Sequence, residues 1–297
     1  MTYAYYPGCS LESSSRMYDS SLREVFRCLD LELVELEDWN CCGATAYFSV
    51  KETVSLAVSA RNLALAERAE LDIVAPCSSC FTILLKTHHM LEGNTELSDK
   101  INEALGAVNL SYKGNVRVRH PLEVLVNDVG LEKIRDAVKV PLDGFAIAPY
   151  YGCQIARGES SFDDSEDPVF MDRLFSTLGA RLVYFPHKVR CCGGMLMYTW
   201  EDIAVRLVAD LMRCAQENGA HLILTTCPMC HANLDLHLEH VRKVYPEAKP
   251  TSTYFFTQLL GLALGIPAEK LGFDLNYIPI DQRLKDLIQR TTEVTHA

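Results

Sequence analysis

The sequence lacks a long apolar run, an excess of basic residues and any low-complexity tract, and each absence excludes a class of protein. The most apolar window, 255–266, is interrupted by Thr257 and Gln258 and is too short for a bilayer-spanning helix of about 20 residues. The formal net charge of -11 argues against nucleic acid, because binding to its phosphates depends on clustered Lys and Arg. We therefore expect a folded chain without membrane insertion, and 297 residues favour two domains.

The N-terminal sequence MTYAYYPGCS also lacks the basic patch and apolar stretch of a secretory signal. It predicts a first strand instead. We therefore expect a cytoplasmic location, in which the 12 cysteines stay reduced rather than paired as disulfides. So many reduced cysteines make metal binding the leading interpretation.

Ten of the cysteines fall into two sets of five that follow the same order. The first set is Cys9, Cys41, Cys42, Cys77 and Cys80, and the second is Cys153, Cys191, Cys192, Cys227 and Cys230. In both sets 34 residues separate the adjacent pair from the C-x-x-C, whereas the leading spacer is 31 residues in the first set and 37 in the second. A single insertion explains the difference.

The residues beside the cysteines repeat as well. Tyr-Tyr-Pro-Gly-Cys at 5–9 matches Tyr-Tyr-Gly-Cys at 150–153, and Cys-Cys-Gly recurs at 41–43 and 191–193. Self-similarity of this kind indicates an internal duplication.

Short apolar runs precede four of the cysteines and predict buried parallel strands at 2–6, 71–75, 145–150 and 222–226. Amphipathic patterns at 51–69 and 201–218 predict helices between them. This alternation is typical of an α/β fold. We expect one such unit in each of two domains, at 1–143 and 144–297, and each domain is expected to bind its own cluster.

Parallel α/β sheets bind ligands where the carboxyl ends of strands meet helix N-termini. Four cysteines occupy such places, namely Cys9, Cys77, Cys153 and Cys227. The residues after Cys77 and Cys227 look helical, with Ser78 as a cap or first-turn residue and Pro228 in the first turn. The positive end of each helix would favour thiolates and an anionic metal-sulfur site.

The number of cysteines in each set helps to identify the metal. Structural zinc and an ordinary 4Fe-4S cube each take four ligands, so a five-cysteine set leaves one over in either case. Adjacent cysteines on a Cys-Cys-Gly turn can contact neighbouring irons or bridge two of them, with Gly43, Gly193 and Gly194 allowing a close backbone approach. Zinc in one half is the alternative. Cys28 and Cys214 lie outside the repeat and are interpreted as buried small apolar residues.

The duplicated pattern resembles the cysteine-rich CCG domain of the heterodisulfide reductase B subunit over nearly the whole chain. The resemblance implies an α/β fold of two Rossmann-like domains related by a pseudo-twofold axis, each with a parallel sheet flanked by helices. It also implies a noncubane 4Fe-4S cluster on each set, so that all ten cysteines are cluster ligands. In that family the disulfide of coenzyme M and coenzyme B is reduced to two thiols between the two clusters.

The resemblance also implies partners, because the chain has no flavin or nicotinamide fingerprint and no ferredoxin-type cysteine run. The expected partners are the ferredoxin-like C subunit, which donates electrons, and the flavoprotein A subunit. A proton source is also needed to release the two thiols. His187, Lys188 and Arg190, just before the second Cys-Cys pair, are candidate catalytic residues that donate protons or attract an anionic substrate. His120 and His231 are further candidates.

Three other interpretations remain open at this point. The clusters can serve as an electron relay, as CCG domains do in succinate, glycolate or glycerol-3-phosphate oxidising systems. The chain can also belong to a heterodisulfide-reductase-like complex of sulfur metabolism, with a different disulfide as substrate. A zinc scaffold without redox activity is the third interpretation, and it predicts a colourless protein.

Overall fold

The computed structural model describes residues 1–44, 46–159, 162–246 and 251–296. These residues contain two parallel four-stranded sheets with equivalent strand orders, β2-β1-β3-β4 and β6-β5-β7-β8. The strands of the first sheet are β1 Thr2–Tyr5, β2 Glu32–Glu35, β3 Ile73–Val74 and β4 Val118–Arg119. Those of the second sheet are β5 Ala146–Tyr150, β6 Arg181–Leu182, β7 Leu222–Thr225 and β8 Ser252–Phe255. The fold class expected from the sequence is confirmed.

Helices flank both sheets. In the first half they are α1 Gly8–Glu12, α2 Arg16–Cys28, α3 Ala46–Val50, α4 Glu52–Arg68, α5 Ser78–Glu92, α6 Thr95–Gly106, α7 Pro121–Glu123 and α8 Leu131–Asp136, with a π-helical segment at Val124–Val129. In the second half they are α9 Gly152–Arg157, α10 Phe170–Thr177, α11 Glu201–Glu217, α12 Pro228–Asp235, α13 Leu238–Val244, α14 Phe256–Ala263 and α15 Gln282–His296. Short 3-10 turns occupy Gly194–Tyr198, Ala268–Lys270 and Phe273–Leu275. No helix in the described ranges is long and apolar enough to cross a membrane.

The four predicted strands are the central strands of the two sheets. Each of β1, β3, β5 and β7 has a neighbour on both sides, and β5 and β7 are buried along their whole length. This double burial explains their continuous apolar runs. The outer strands β2, β4 and β6 escaped prediction because they carry charged residues, as in the mostly exposed β2.

Equivalent helices of the two halves pack against each other across the interface. Helix α2 of the first half packs on α14 of the second, and α10 of the second half packs on α7 of the first. Ser21 and Thr257 are both buried there, and their hydroxyl oxygens lie 2.6 Å apart. The reciprocal packing has the pseudo-twofold character expected, and it brings the two cysteine sets towards a common interface.

The second leading spacer is longer mainly because of one connection, which has nine more residues than its counterpart, although α10 is five residues shorter than α2. Residues 13–15 join α1 to α2, whereas residues 158–169 join α9 to α10. Of the longer connection, the described part includes Phe162, which packs against Phe81 of the first half with ring centroids 6.1 Å apart. The insertion therefore adds an inter-domain contact.

Candidate metal centre

Six of the ten repeated cysteines follow the carboxyl ends of the central strands. Cys9 and Cys153 lie in the first turns of α1 and α9, directly after β1 and β5. Cys77 and Cys227 are the N-cap residues of α5 and α12, so Cys80 and Cys230 lie in the first turns of those helices. The sequence prediction of cysteines at helix N-termini agrees with this geometry.

The cysteines of the first set contact one another through their sulfur atoms. The Sγ atoms of Cys42 and Cys80 lie 3.2 Å apart, and both side chains are buried. Hydrogen bonding with Cys41, and then with Cys80, lowers the pKa of the Cys42 thiol to about 4. Hydrogen bonding with Cys42 and Cys77 raises the pKa of Cys80. The negative charge of Cys9 adds to the effect of the Cys42 hydrogen bond in raising the pKa of Cys41, so all five thiols share one electrostatic environment.

The second set has the same arrangement. The Sγ atoms of Cys192 and Cys230 lie 3.5 Å apart. Hydrogen bonds from Cys153 and then Cys192 lower the pKa of the Cys191 thiol. A hydrogen bond with Cys230 lowers the pKa of Cys227 to about 7. Each half therefore gathers its five repeated cysteines, as the spacing predicts.

A glycine leaves room for the sulfur atoms in each half. A Cβ atom added to Gly8 would lie 3.1 Å from Cys80 Sγ, and one added to Gly152 would lie 3.0 Å from Cys230 Sγ. Both glycines have positive φ angles, +68° and +73°. A side chain at either position would crowd the sulfur atom, so glycine is what allows the backbone to come this close.

Backbone amides of the Cys-Cys-Gly turns point at the thiols. The Gly193 N–H donates to Cys191 Sγ at 3.3 Å, and the Gly194 N–H donates to Cys192 Sγ at 3.4 Å. In the first half the equivalent Ala44 amide is among the groups that lower the pKa of Cys42. Soft thiolate donors supported by N–H groups fit an anionic iron-sulfur cluster, because hydrogen bonds to the sulfurs stabilise its negative charge.

Two tyrosines of the repeated flanks hold the Cys-Cys-Gly turns. Tyr6 lies three residues before Cys9, and its hydroxyl donates to the Asn40 carbonyl at 2.8 Å. Tyr150 lies three residues before Cys153, and its hydroxyl donates to the Arg190 carbonyl, also at 2.8 Å. In the sequence these tyrosines indicated only a duplication. Their repetition three residues before a cysteine was nevertheless a signal that they support the Cys-Cys-Gly turns.

The second turn is also held by a buried amide side chain. Asn233 Nδ2 donates to the carbonyl oxygens of Cys192 and Gly194, both at 3.1 Å, and lies 3.5 Å from Cys192 Sγ. The equivalent position in the first half, 150 residues earlier, is Ile83. In that half Asn62 binds both the N–H and the carbonyl of Asn40, each at 3.0 Å. The two turns are therefore supported from different helices.

Replacing Asn233 by Ala should lower the free energy of unfolding by about 2 kcal/mol, because two buried carbonyl oxygens lose their donor. Urea-induced unfolding of the anaerobic protein measures the change. Asn218→Ala is the matched control, since Asn218 donates to one carbonyl, that of Cys214, near a helix end. Equal losses in the two variants would contradict a special role of Asn233.

The two cysteines outside the repeat differ from each other. Cys214 is buried on α11, as expected. The prediction of burial for Cys28 was wrong, because Cys28 is exposed at the last position of α2. The last buried residue of that helix is Phe26, so Cys28 lies beyond the buried part of the helix, at its exposed C-terminal end. Desolvation raises the pKa of both thiols, and the charges that act on them belong to neighbouring acidic and basic side chains rather than to the repeated cysteines.

The three catalytic candidates lie on the segment that leads into the second Cys-Cys pair. The Lys188 ammonium forms ion pairs with Asp167 at 2.5 Å and Asp172 at 3.7 Å, so its charge is already neutralised. His187 Nε2 lies 3.1 Å from the Arg190 guanidinium. Burial and the charge of Arg190 lower the pKa of His187. Arg190 itself is exposed beside the exposed Cys191.

The other two histidine candidates are buried and hydrogen bonded. His120 Nε2 lies 3.2 Å from the Pro76 carbonyl, and His231 Nε2 lies 2.9 Å from the Asn276 amide. Burial lowers the pKa of His120 to about 3 and that of His231 to about 4. Both rings are therefore neutral near pH 7, and each fixes the backbone or a side chain close to a C-x-x-C helix.

Among the described residues, no group of three or more His, Cys, Asp or Glu side chains is arranged to hold a metal ion. The sulfur atoms of each set lie together without converging on one point. A cluster of several irons would take its thiolates at different irons, so its ligands need not converge on one point.

The cysteine-rich domain family CCG matches residues 3–84 and 147–235. The chain is 34% identical over 278 residues to the 8-methylmenaquinol:fumarate reductase membrane anchor subunit of Wolinella succinogenes, with 93% of this chain and 96% of that protein covered. It is 31% identical to a protein of Archaeoglobus profundus that is named as similar to the heterodisulfide reductase B subunit, over 97% of this chain and 98% of the relative. It is 28% identical to the B subunit of the ferredoxin:CoB-CoM heterodisulfide reductase of Methanosarcina mazei, over 91% of this chain and 92% of the relative.

A solved structure of a hypothetical protein from Helicobacter pylori has the same fold. The TM-score is 0.76 at 18% sequence identity, with 94% of this chain covered. This chain spans about half of that protein, 52% of its length.

Proposed function

Since the chain belongs to the CCG family of cysteine-rich domains, we propose that it is an iron-sulfur subunit of an oxidoreductase complex and reduces a disulfide to two thiols. The substrate class is a small disulfide such as that of coenzyme M and coenzyme B, the substrate named for the relative from Methanosarcina mazei. The reaction takes place between the two cysteine sets. The likeness to heterodisulfide reductase B subunits over nine tenths of the chain supports this assignment.

The observation that carries the proposal is the meeting of the two sets at the domain interface. Ser78 begins the C-x-x-C helix of the first half, and its hydroxyl lies 3.4 Å from the Thr226 carbonyl of the second half. Its hydroxyl also hydrogen bonds to Cys227 and is among the groups that lower that thiol's pKa. The negative charges of Cys77 and Cys227 both act on the buried Tyr18. The C-x-x-C helices of the two halves therefore begin close to each other across the interface.

The ten repeated cysteines are the proposed cluster ligands, five to a cluster. Cleaving one disulfide consumes two electrons and two protons and yields two thiols. When bound, two clusters supply one electron each, which matches the two-electron requirement. The chain itself holds the thiolates at fixed positions and offsets their charge with the Gly193 and Gly194 amides.

We assign proton donation and the attraction of an anionic substrate to the segment before the second Cys-Cys pair. His187 and Arg190 contact each other next to the exposed Cys191, so they can meet a substrate that arrives from solvent. Lys188 is assigned a positioning role, because its carbonyl accepts hydrogen bonds from the backbone amides of Tyr151 and Gly152, both at 3.0 Å. Electrons are proposed to come from a ferredoxin-like C subunit, supplied by a flavoprotein A subunit, in the cytoplasm.

A second candidate function is electron transfer without disulfide chemistry. The 34% identity to a subunit of the 8-methylmenaquinol:fumarate reductase of Wolinella succinogenes favours it. In this role the two clusters would pass electrons between partner subunits, and no small molecule would bind between the halves.

Anaerobic protein, reduced with a viologen and supplied with the coenzyme M and coenzyme B disulfide, separates the two candidates. The reductase proposal predicts that viologen oxidation is accompanied by two thiols for each disulfide consumed. A protein that takes up electrons but releases no thiol from this or other small disulfides is a relay, and the reductase proposal fails.

A further inference from the structure

Tyr18 carries a buried hydroxyl at the interface of the two halves. It lies on α2 and is fully buried, and its ring stacks on Phe255 of the other half with centroids 4.2 Å apart and planes within 10°. Within the described part of the chain the hydroxyl oxygen has no hydrogen-bond partner. A buried, unpaired hydroxyl is costly, so such groups normally have an acceptor in the working protein.

The surroundings of this hydroxyl indicate what the acceptor is. Burial raises the pKa of Tyr18 well above its ordinary value, and the charges of Cys77 and Cys227 raise it further. The phenol is therefore neutral near pH 7 and available as a donor. Cys77 and Cys227 belong to different cysteine sets, so the hydroxyl lies where both sets act on the same group.

The pseudo-twofold counterpart of Tyr18 has no hydroxyl. Tyr18 lies on α2, whereas Phe162 lies in the connection between α9 and α10, so the two residues correspond by their ring contacts rather than by sequence position. Phe162 stacks on His120 of the first half, with the ring planes within 9°, as Tyr18 stacks on Phe255. The two sides of the interface thus have matching ring positions, but the donor is on one side only.

We propose that the Tyr18 hydroxyl donates a hydrogen bond to one sulfur of the disulfide or thiol bound between the two cysteine sets, so that the two ends of the substrate are held differently. This inference rests on the proposed disulfide reductase function. It concerns the binding and orientation of the substrate.

The test is Tyr18→Phe, which removes the hydroxyl and keeps the ring. Anaerobically purified full-length protein is oxidised and titrated separately with coenzyme M and with coenzyme B, and the thiol-dependent EPR signal gives the apparent affinity for each. We expect about a tenfold loss of affinity for one of the two thiols, the size of an ordinary hydrogen bond. The melting temperature of the thiol-free protein should not fall, because the variant removes an unpaired buried hydroxyl, and the cluster reduction potentials without thiol should stay unchanged.

Tyr254→Phe is the matched control. Tyr254 is also buried, but the charged groups that act on its hydroxyl are Asp281 and Asp235 rather than cysteines. This variant should keep the wild-type affinity for both thiols.

Unchanged affinities in Tyr18→Phe, or an equal loss for both thiols, would overturn the inference while leaving the reductase function in place. A shift of the reduction potential without thiol would also overturn it, because the acceptor would then be a cluster ligand. Wild-type protein that holds iron but gives no thiol-dependent signal would overturn both proposals.

Discussion

Replacing Cys42 by Ala will lower the iron content from about eight to about four atoms per chain and abolish disulfide turnover. The Cys42 side chain is buried, and its sulfur lies 3.2 Å from that of Cys80, at the centre of the first set. The equivalent Cys192→Ala variant should lose the other half of the iron. Since two electrons are needed for each disulfide, one remaining cluster should leave less than about 1% of the activity.

Cys214→Ala is the control for this prediction. Cys214 is 7% exposed and Cys42 is 4% exposed, so both substitutions remove a buried sulfur. Iron content, acid-labile sulfide and thiol release are measured on all three variants. Wild-type iron and turnover in Cys42→Ala, or equal losses in Cys214→Ala, would contradict the assignment of the ligand sets.

Replacing Gly152 by Ala should remove the cluster of the second half. The new Cβ atom would lie 3.0 Å from Cys230 Sγ, and the φ angle of +73° is one that alanine rarely adopts. Either the sulfur or the start of α9 must move, and both belong to the ligand set. We expect the iron content to fall by about half and the activity to fall at least about 100-fold. Gly8→Ala should have the same effect on the first cluster.

Gly144→Ala separates the sulfur contact from backbone strain. Gly144 has a φ angle of +83°, but an added Cβ would have no neighbour within 4 Å. This variant should lose about 1–2 kcal/mol of stability from the left-handed conformation alone. It should retain wild-type iron. Iron loss that is equal in Gly144→Ala and Gly152→Ala would show that strain, rather than the approach to sulfur, is responsible.

The sequence was sufficient to predict the central strands and the grouping of the cysteines, because both leave local signals. Strand β7 is buried on both faces and reads as a continuous apolar run, and Pro228 marks the start of the helix that follows it. The internal duplication then made the five-cysteine sets visible, because the last four cysteines of each set have equal spacings.

Strand β4 shows why the rest of the sheet could not be predicted. It has two residues, and its Arg119 is buried because Glu123 and Asp128 bind the guanidinium at 2.7 and 2.9 Å. A buried arginine in a strand contradicts every local pattern, and its partners become apparent only in the folded chain.

The contacts across the interface could not be predicted from the sequence for a similar reason. Tyr18 and Phe255 are far apart in sequence, and their rings stack only because α2 packs on α14 in the folded chain. The duplication predicted equivalent halves, whereas Asn233 and Ile83 occupy equivalent positions with different chemistry. The duplication alone therefore could not predict which side chain supports each Cys-Cys-Gly turn.

Iron, zinc and acid-labile sulfide content, measured on anaerobically purified protein with an EPR spectrum after oxidation in the presence of coenzyme M, tests the account most directly. Two clusters on the ten cysteines predict about eight iron and eight sulfide per chain and a paramagnetic signal that depends on the thiol. About two zinc ions per chain and no iron would contradict it and leave a structural zinc protein.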